Sequence, residues 1–180
     1  MTVPHRRPGS HPPEEYNDEM KLDQVDLTIL AALQENGRMP LSEIARRASV
    51  APATVHERLA KLRRSGVVQG FSVRLNASAL GYTVTALIHL RTGLAEQVER
   101  TVADLRAIPE VEEVHVVTGE YDLAVKVRAR DTAHLQDLLV GRIHRVAGFI
   151  RSATEVCLTT PLERSGPMVV VARRDRDEPA

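Results

Sequence analysis

The chain has 180 residues, 43% of them hydrophobic and 27% charged, enough for one ordinary domain or two small ones that each bury a core. Its 24 basic and 24 acidic side chains balance, and no apolar run approaches the roughly 18 residues of a membrane span. The start, "MTVPHRRPGSHPPEEYNDEM", lacks the apolar core of a secretory signal, so a cytoplasmic protein without a membrane helix is expected. Cys157 is the only cysteine, which excludes an intramolecular disulfide and a multi-thiolate metal site; it lies in an apolar run and is expected in the core.

Residues 1–20, rich in Pro, His and charge, are expected to be disordered. In "LDQVDLTILAALQENG", Leu22, Val25, Ile29 and Leu33 share a helical face, with Asp23 as N-cap and Gly37 as stop. "LSEIARRA" is a second, short helix with Leu41, Ile44 and Ala45 apolar. In "PATVHERLAKLRRSG", Pro52 suits the first helical position, Val55, Leu59 and Leu62 repeat at helical spacing, and Gly66 ends the run. "VVQGFSVRL" alternates as a strand or wing would.

The second half changes rhythm. Val84, Ala86, Ile88 and Leu90 alternate with Thr83, Thr85 and His89 as a half-buried strand. Leu94, Val98, Val102 and Leu105 fall at helical spacing until Pro109. "VEEVHVV" and "DLAVKV" read as strands joined by a turn at "TGEY", a helix is expected from Thr132 to Val146, and "IRSATEVCL" is a last strand. The order β-α-β-β-α-β is a ferredoxin-like split unit. Helices on one face of such a sheet leave the other to be buried, most simply by a second copy.

The neutral net charge hides a sorted distribution. Residues 46–74 hold seven basic side chains against Glu57 alone, whereas residues 77–160 hold nine basic and eleven acidic ones. A basic block is either a solvated surface or the footprint of a polyanion. Three short helices with a tight turn before the basic third favour the polyanion, because the major groove of DNA admits one α-helix held in place by the helix before it.

The stretch from "KLDQVDLTILAALQENGR" through "RLAKLRRSGVVQGF" to "LGY", followed by "IPEVEEVHVVTGEYDLAVKV" and "GFIRSATEVCL", resembles the Lrp/AsnC, or feast/famine, family of prokaryotic regulators. The resemblance covers about residues 21–163. It implies an α+β protein: a winged helix-turn-helix over 21–72, a linker strand over 73–82, and a ferredoxin-like effector-binding and oligomerisation domain over 83–163, before a flexible tail over 164–180. It further implies homodimers that assemble to a tetramer of dimers, double-stranded DNA as partner, an amino acid as effector, and no cofactor or metal. Two positions depart from the family pattern. Ala51 stands where the reading helix is usually capped by Ser or Thr, and Pro40 where the second helix often has Ser. Each removes an acceptor for end-of-helix N–H groups, at about 0.5–2 kcal/mol, partly offset because Pro52 lacks one of those donors. Arg63 stands where the family often has an acid, which raises the expected phosphate affinity.

On the third helix, Ala53, Thr54, His56 and Glu57 are expected near base edges, and Arg58, Lys61 and Arg64, with Arg38, Arg46 and Arg47, at phosphates. Arg58 could instead pair with Glu43 or Glu57, and Glu57 with Lys61. For the effector, the turn "TGEYD" offers Gly119 for close backbone approach, Tyr121 as a wall and Asp122 as an acceptor for an ammonium. The resemblance places this turn at the inter-dimer effector site with Ser152 or Thr154; the same residues also suit a plain hairpin. An enzyme is the rival from another class, since some proteins resembling this family are sirohaem decarboxylases. The sequence carries no His-x-x-x-His pair, nucleophile elbow, P-loop or Gly-rich dinucleotide turn, and His89 and His115 are expected at the surface, so a non-enzyme is expected. An architectural DNA-binding protein without an effector is the third reading.

Overall fold

A computed structural model describes residues 21–93, 98–164 and 166–169. The expected disorder of residues 1–20 lies outside the described residues. The described residues form two compact units: the first runs up to Ser72 and takes in Arg164 and residues 166–169, and the second runs over Val73–Glu163.

In the first unit, α1 (Gln24–Glu35) starts at a reciprocal cap. The Asp23 carboxylate accepts the Asp26 N–H at 2.9 Å and the Asp26 carboxylate accepts the Asp23 N–H at 3.2 Å, which satisfies two donors that the helix start cannot. The helix stops at Asn36, one residue before the expected Gly37. Helices α2 (Leu41–Ala48) and α3 (Pro52–Arg64) follow, and neither Pro40 nor Ala51 provides a side-chain cap. Between them Ser49 adopts φ 55°, the one left-handed non-glycine residue among those described, and turns the chain sharply. Ile29, Ile44, Val55 and Leu62 meet in the centre, fully buried, at about 1.5–3 kcal/mol of burial each. The inward spacing on α3 therefore fixes which of its sides faces outward.

Two expectations fail after α3, which Gly66 ends at φ 77°. Neither the strand over 67–75 nor the linker strand over 73–82 forms; the chain runs without a ladder to a 3₁₀ turn at Ser78–Leu80. A strand needs a partner for its N–H and C=O groups, and this stretch, with Phe71, Val73 and Leu75 exposed, has no strand beside it among the described residues. The tail, expected to be flexible throughout, is docked in part: the Gln34 amide donates to the Pro167 carbonyl at 2.6 Å and accepts the Val169 N–H at 2.8 Å, with Val169 against the helical core.

The second unit is a four-stranded antiparallel sheet, in order β2-β3-β1-β4, from β1 (Val84–Thr92), β2 (Val111–Val116), β3 (Leu123–Ala129) and β4 (Phe149–Cys157). Ala86, Ile88, Leu90, Leu123, Val125 and Val127 are buried with Leu105 of α4 (Val98–Arg106) and Leu135 and Leu138 of α5 (Thr132–Gly141). Of the expected α4 face, Leu94 lies outside the described residues. The helix expected over 132–146 is shorter: Arg142 leaves helical geometry at φ −130°, and a 3₁₀ turn at Ile143–Arg145 keeps Ile143 buried. Cys157 is half-buried rather than in the core, because the ladder pairs it with Thr85, on the sheet face opposite Ala86 and Ile88.

Candidate nucleic-acid interface and effector site

With Val55 and Leu62 turned into the core, α3 presents Ala53, His56, Glu57, Lys61, Arg63 and Arg64 to solvent, with Thr54 half-buried at their edge. Its first turn holds no acidic residue and its last turn holds Lys61, Arg63 and Arg64. Glu57 and Lys61, four residues apart, make no ion pair among the described residues. His56 is exposed beside them.

The cations expected at phosphates fall into two groups. Arg47 is held within the unit, its guanidinium 2.5 Å from the Glu35 carboxylate and 3.0 Å from that of Glu43. The bond Arg47 donates to Glu35, then that to Glu43, raises its pKa, and Arg47 in turn lowers that of Glu35. Arg58 is held as well, but not by Glu43 or Glu57. It reaches Asp23 at 2.5 Å and Asp26 at 3.2 Å, because it lies on the side of α3 that meets the start of α1, and Glu43 is already taken by Arg47. The hydrogen bonds Arg58 donates to Asp23 and then to Asp26 raise its pKa; the Asp23 carboxyl is lowered first by the Asp26 N–H and then by Arg58. Asp26 is itself buried, 3% exposed, so Arg58 serves a carboxylate inside the fold. Arg38, Arg46, Lys61, Arg63 and Arg64 are exposed and, among the described residues, make no ion pair.

The hairpin between β2 and β3 holds the effector candidates. The Asp122 carbonyl accepts the Val117 N–H and its own N–H donates to the Leu90 carbonyl, both at 2.9 Å, which closes the turn. Gly119 takes φ +121°, a conformation that excludes most side chains. The Asp122 carboxylate accepts the Thr92 N–H at 2.7 Å and the Thr92 hydroxyl at 3.2 Å, so it already fastens the hairpin to the end of β1. The Tyr121 ring lies 5.7 Å from the His89 ring and 5.1 Å from the Arg151 guanidinium. His89 is thus half-buried rather than a free surface group, whereas His115 is exposed.

Ser152 and Thr154 stand apart from this group. Their ladder partners are Leu90 and Ile88, so they share the helix-covered face, whereas His89 and Arg151 belong to the other one. Ser152 shares a 3.0 Å hydrogen bond with His144, whose ring stacks on Phe149. One chain therefore brings Gly119, Tyr121 and Asp122 together and leaves Ser152 and Thr154 across the sheet. Arg91 and Arg151 both bond to the hairpin, and no sequence pattern marks them; only the β1–β4 register reveals them.

Residues 22–63 match the family model described as the AsnC-type helix-turn-helix domain, and residues 83–167 that described as the Lrp/AsnC ligand binding domain. The HTH-type transcriptional regulator FL11 of Pyrococcus furiosus is 38% identical over 71% of this chain and 85% of its own length. The regulatory protein AsnC of Escherichia coli is 30% identical over 80% of the chain and 95% of its own, and its solved structure superposes with a TM-score of 0.76, covering 80% of this chain and 97% of that one. A feast or famine regulatory protein from M. tuberculosis, solved in complex with L-methionine, is 32% identical with a TM-score of 0.75, covering 81% of this chain and 98% of that one.

Proposed function

The chain belongs to the Lrp/AsnC family of helix-turn-helix transcriptional regulators, and from that premise we propose how it reads DNA and what modulates it. The observation that carries the reading is α3, whose inward residues are buried while its outward side offers side chains for base edges beside cations that make no ion pair among the described residues. Ala53, Thr54, His56 and Glu57 enter the major groove, and Arg38, Arg46, Lys61, Arg63 and Arg64 lie along the phosphates. Arg47 and Arg58, expected among the phosphate contacts from sequence, act instead by fixing α1, α2 and α3 to one another.

An amino acid modulates this binding. The support is the hairpin of Gly119, Tyr121 and Asp122, which offers a close backbone, an aromatic wall and a carboxylate, together with the methionine held by the mycobacterial relative. Ser152 and Thr154 join the site from a second copy, since one chain separates them from Tyr121. The assembly is then a homodimer that builds to a tetramer of dimers and acts beside the chromosome in the cytoplasm. Among the described residues no helix is long and apolar enough to cross a membrane. The relatives named above are regulators, which favours a binding protein over an enzyme.

The test is to record the mass of the purified protein in solution and titrate a promoter fragment of its own gene with and without each of the twenty amino acids. Salt-sensitive binding that one or two amino acids shift supports the reading. Binding that none shifts favours an architectural protein, and no binding at low salt overturns the regulator.

A further inference from the structure

Arg91 and Arg151 face each other directly across the β1–β4 ladder, a placement in which like charges repel. Both turn to the hairpin. Arg91 Nη1 donates to the Glu120 carbonyl at 2.6 Å, and Arg151 Nη2 donates to the Glu120 carboxylate at 2.7 Å while its guanidinium lies over Tyr121. With Asp122, the group comprises two cations and two anions and is neutral. The two anions are held very differently: Asp122 is fixed by two hydrogen bonds from Thr92, whereas the Glu120 side chain is 66% exposed and pairs with Arg151, itself 52% exposed. Ion pairs this open contribute little, so Glu120 can turn outward readily and leave one uncompensated positive charge beside Tyr121.

We propose that Glu120 is an internal stand-in for an acidic effector: the site takes an amino acid of net charge −1, aspartate or glutamate in class, whose carboxylates replace Glu120 on Arg151 and engage Arg91. Its ammonium goes to Asp122. Such a ligand restores the neutrality that Glu120 provides in the free protein, and the guanidinium fork of Arg151 matches a carboxylate in two directions. A zwitterion with a neutral side chain leaves the charge uncompensated. This inference rests on the hairpin being the effector site.

The test is isothermal titration calorimetry on the full-length protein with aspartate, glutamate, asparagine, glutamine, leucine and methionine, repeated on Arg91→Gln, Arg151→Gln and Glu120→Gln. The expected result is that one acidic amino acid binds at least about tenfold more tightly than its own amide, the difference that one well-made charged contact supplies. Arg91→Gln and Arg151→Gln abolish that preference, and Glu120→Gln tightens acid binding severalfold by removing the competitor. Should the arginine variants fold poorly, Glu120→Gln, altered at an exposed position, decides alone: unchanged acid affinity overturns the proposal. Equal binding of acid and amide by the wild type also overturns it while leaving the effector site intact. No binding by any of the six, in a protein whose DNA binding other amino acids do shift, overturns the acidic class alone; no response to any amino acid overturns the effector reading with it.

Discussion

The cations on the strands of the sheet unit and those on and beside α3 are used in opposite ways. Along the strands of the sheet unit, Lys126 and Arg128 lie among Glu112, Glu113 and Glu163, Arg151 meets Glu120, and Arg91 meets a carbonyl, so each charge has a partner within the unit. On the helical unit, Arg38, Arg46, Lys61, Arg63 and Arg64 have no ion-pair partner among the described residues. Charge number alone does not separate these cases; what matters is whether a cation is free to take the place of a counterion condensed at a DNA phosphate, which one held by a carboxylate is not. Arg47 and Arg58 show the same division inside one unit.

The largest effect expected on either side of this comparison is in the cores that hold the charges in place. Leu62→Ala in the helical unit and Leu123→Ala in the sheet unit each remove a fully buried side chain and should cost about 2–5 kcal/mol, read by chemical denaturation. A change far below that would mean the site is not packed as described. Asp23→Ala removes the α1 cap and should cost about 1 kcal/mol.

Arg58→Ala should lower the melting temperature by on the order of a few degrees, yet leave the salt dependence of DNA binding unchanged, because its charge is already matched by Asp23 and Asp26. A flattened salt slope would return Arg58 to the phosphate contacts. The carboxyls of Asp23, Glu35, Glu113 and Glu163 are all held below their ordinary range, the first chiefly by the Asp26 N–H and the others by Arg47, His115 and Lys126 respectively. Groups lowered on folding stabilise the protein above their unfolded pKa, near 4, and that stability is lost as the pH falls through the lower folded value. Acid titration followed by circular dichroism should therefore show destabilisation beginning below about pH 4–5.

Much of the architecture was legible because it rests on local patterns. The spacing of Val55 and Leu62 fixed the outward side of α3, Asp23 announced the cap of α1, and the alternation of Ala86, Ile88 and Leu90 with Thr85 and His89 identified β1. The missing wing could not be foreseen, because alternation in "VVQGFSVRL" shows that a segment can pair but not that a partner lies beside it. Ion-pair choice was equally hidden: Arg58 meets Asp23, 35 positions away, through the packing of α3 on α1. The division of Tyr121 from Ser152 between sheet faces depends on the β1–β4 register, which no single strand encodes.

The central claim is that the exposed cations on and beside α3 grip the DNA backbone. The most direct measurement is the salt dependence of duplex binding by the wild type, by the triple variant Arg46→Ala, Lys61→Ala, Arg64→Ala, and by Arg47→Ala. The log–log slope should flatten by about 0.9 for each phosphate that the variant leaves unneutralised, so by nearly 3 in the triple variant, and should hardly move in Arg47→Ala. Equal slopes in the wild type and the triple variant would contradict the account.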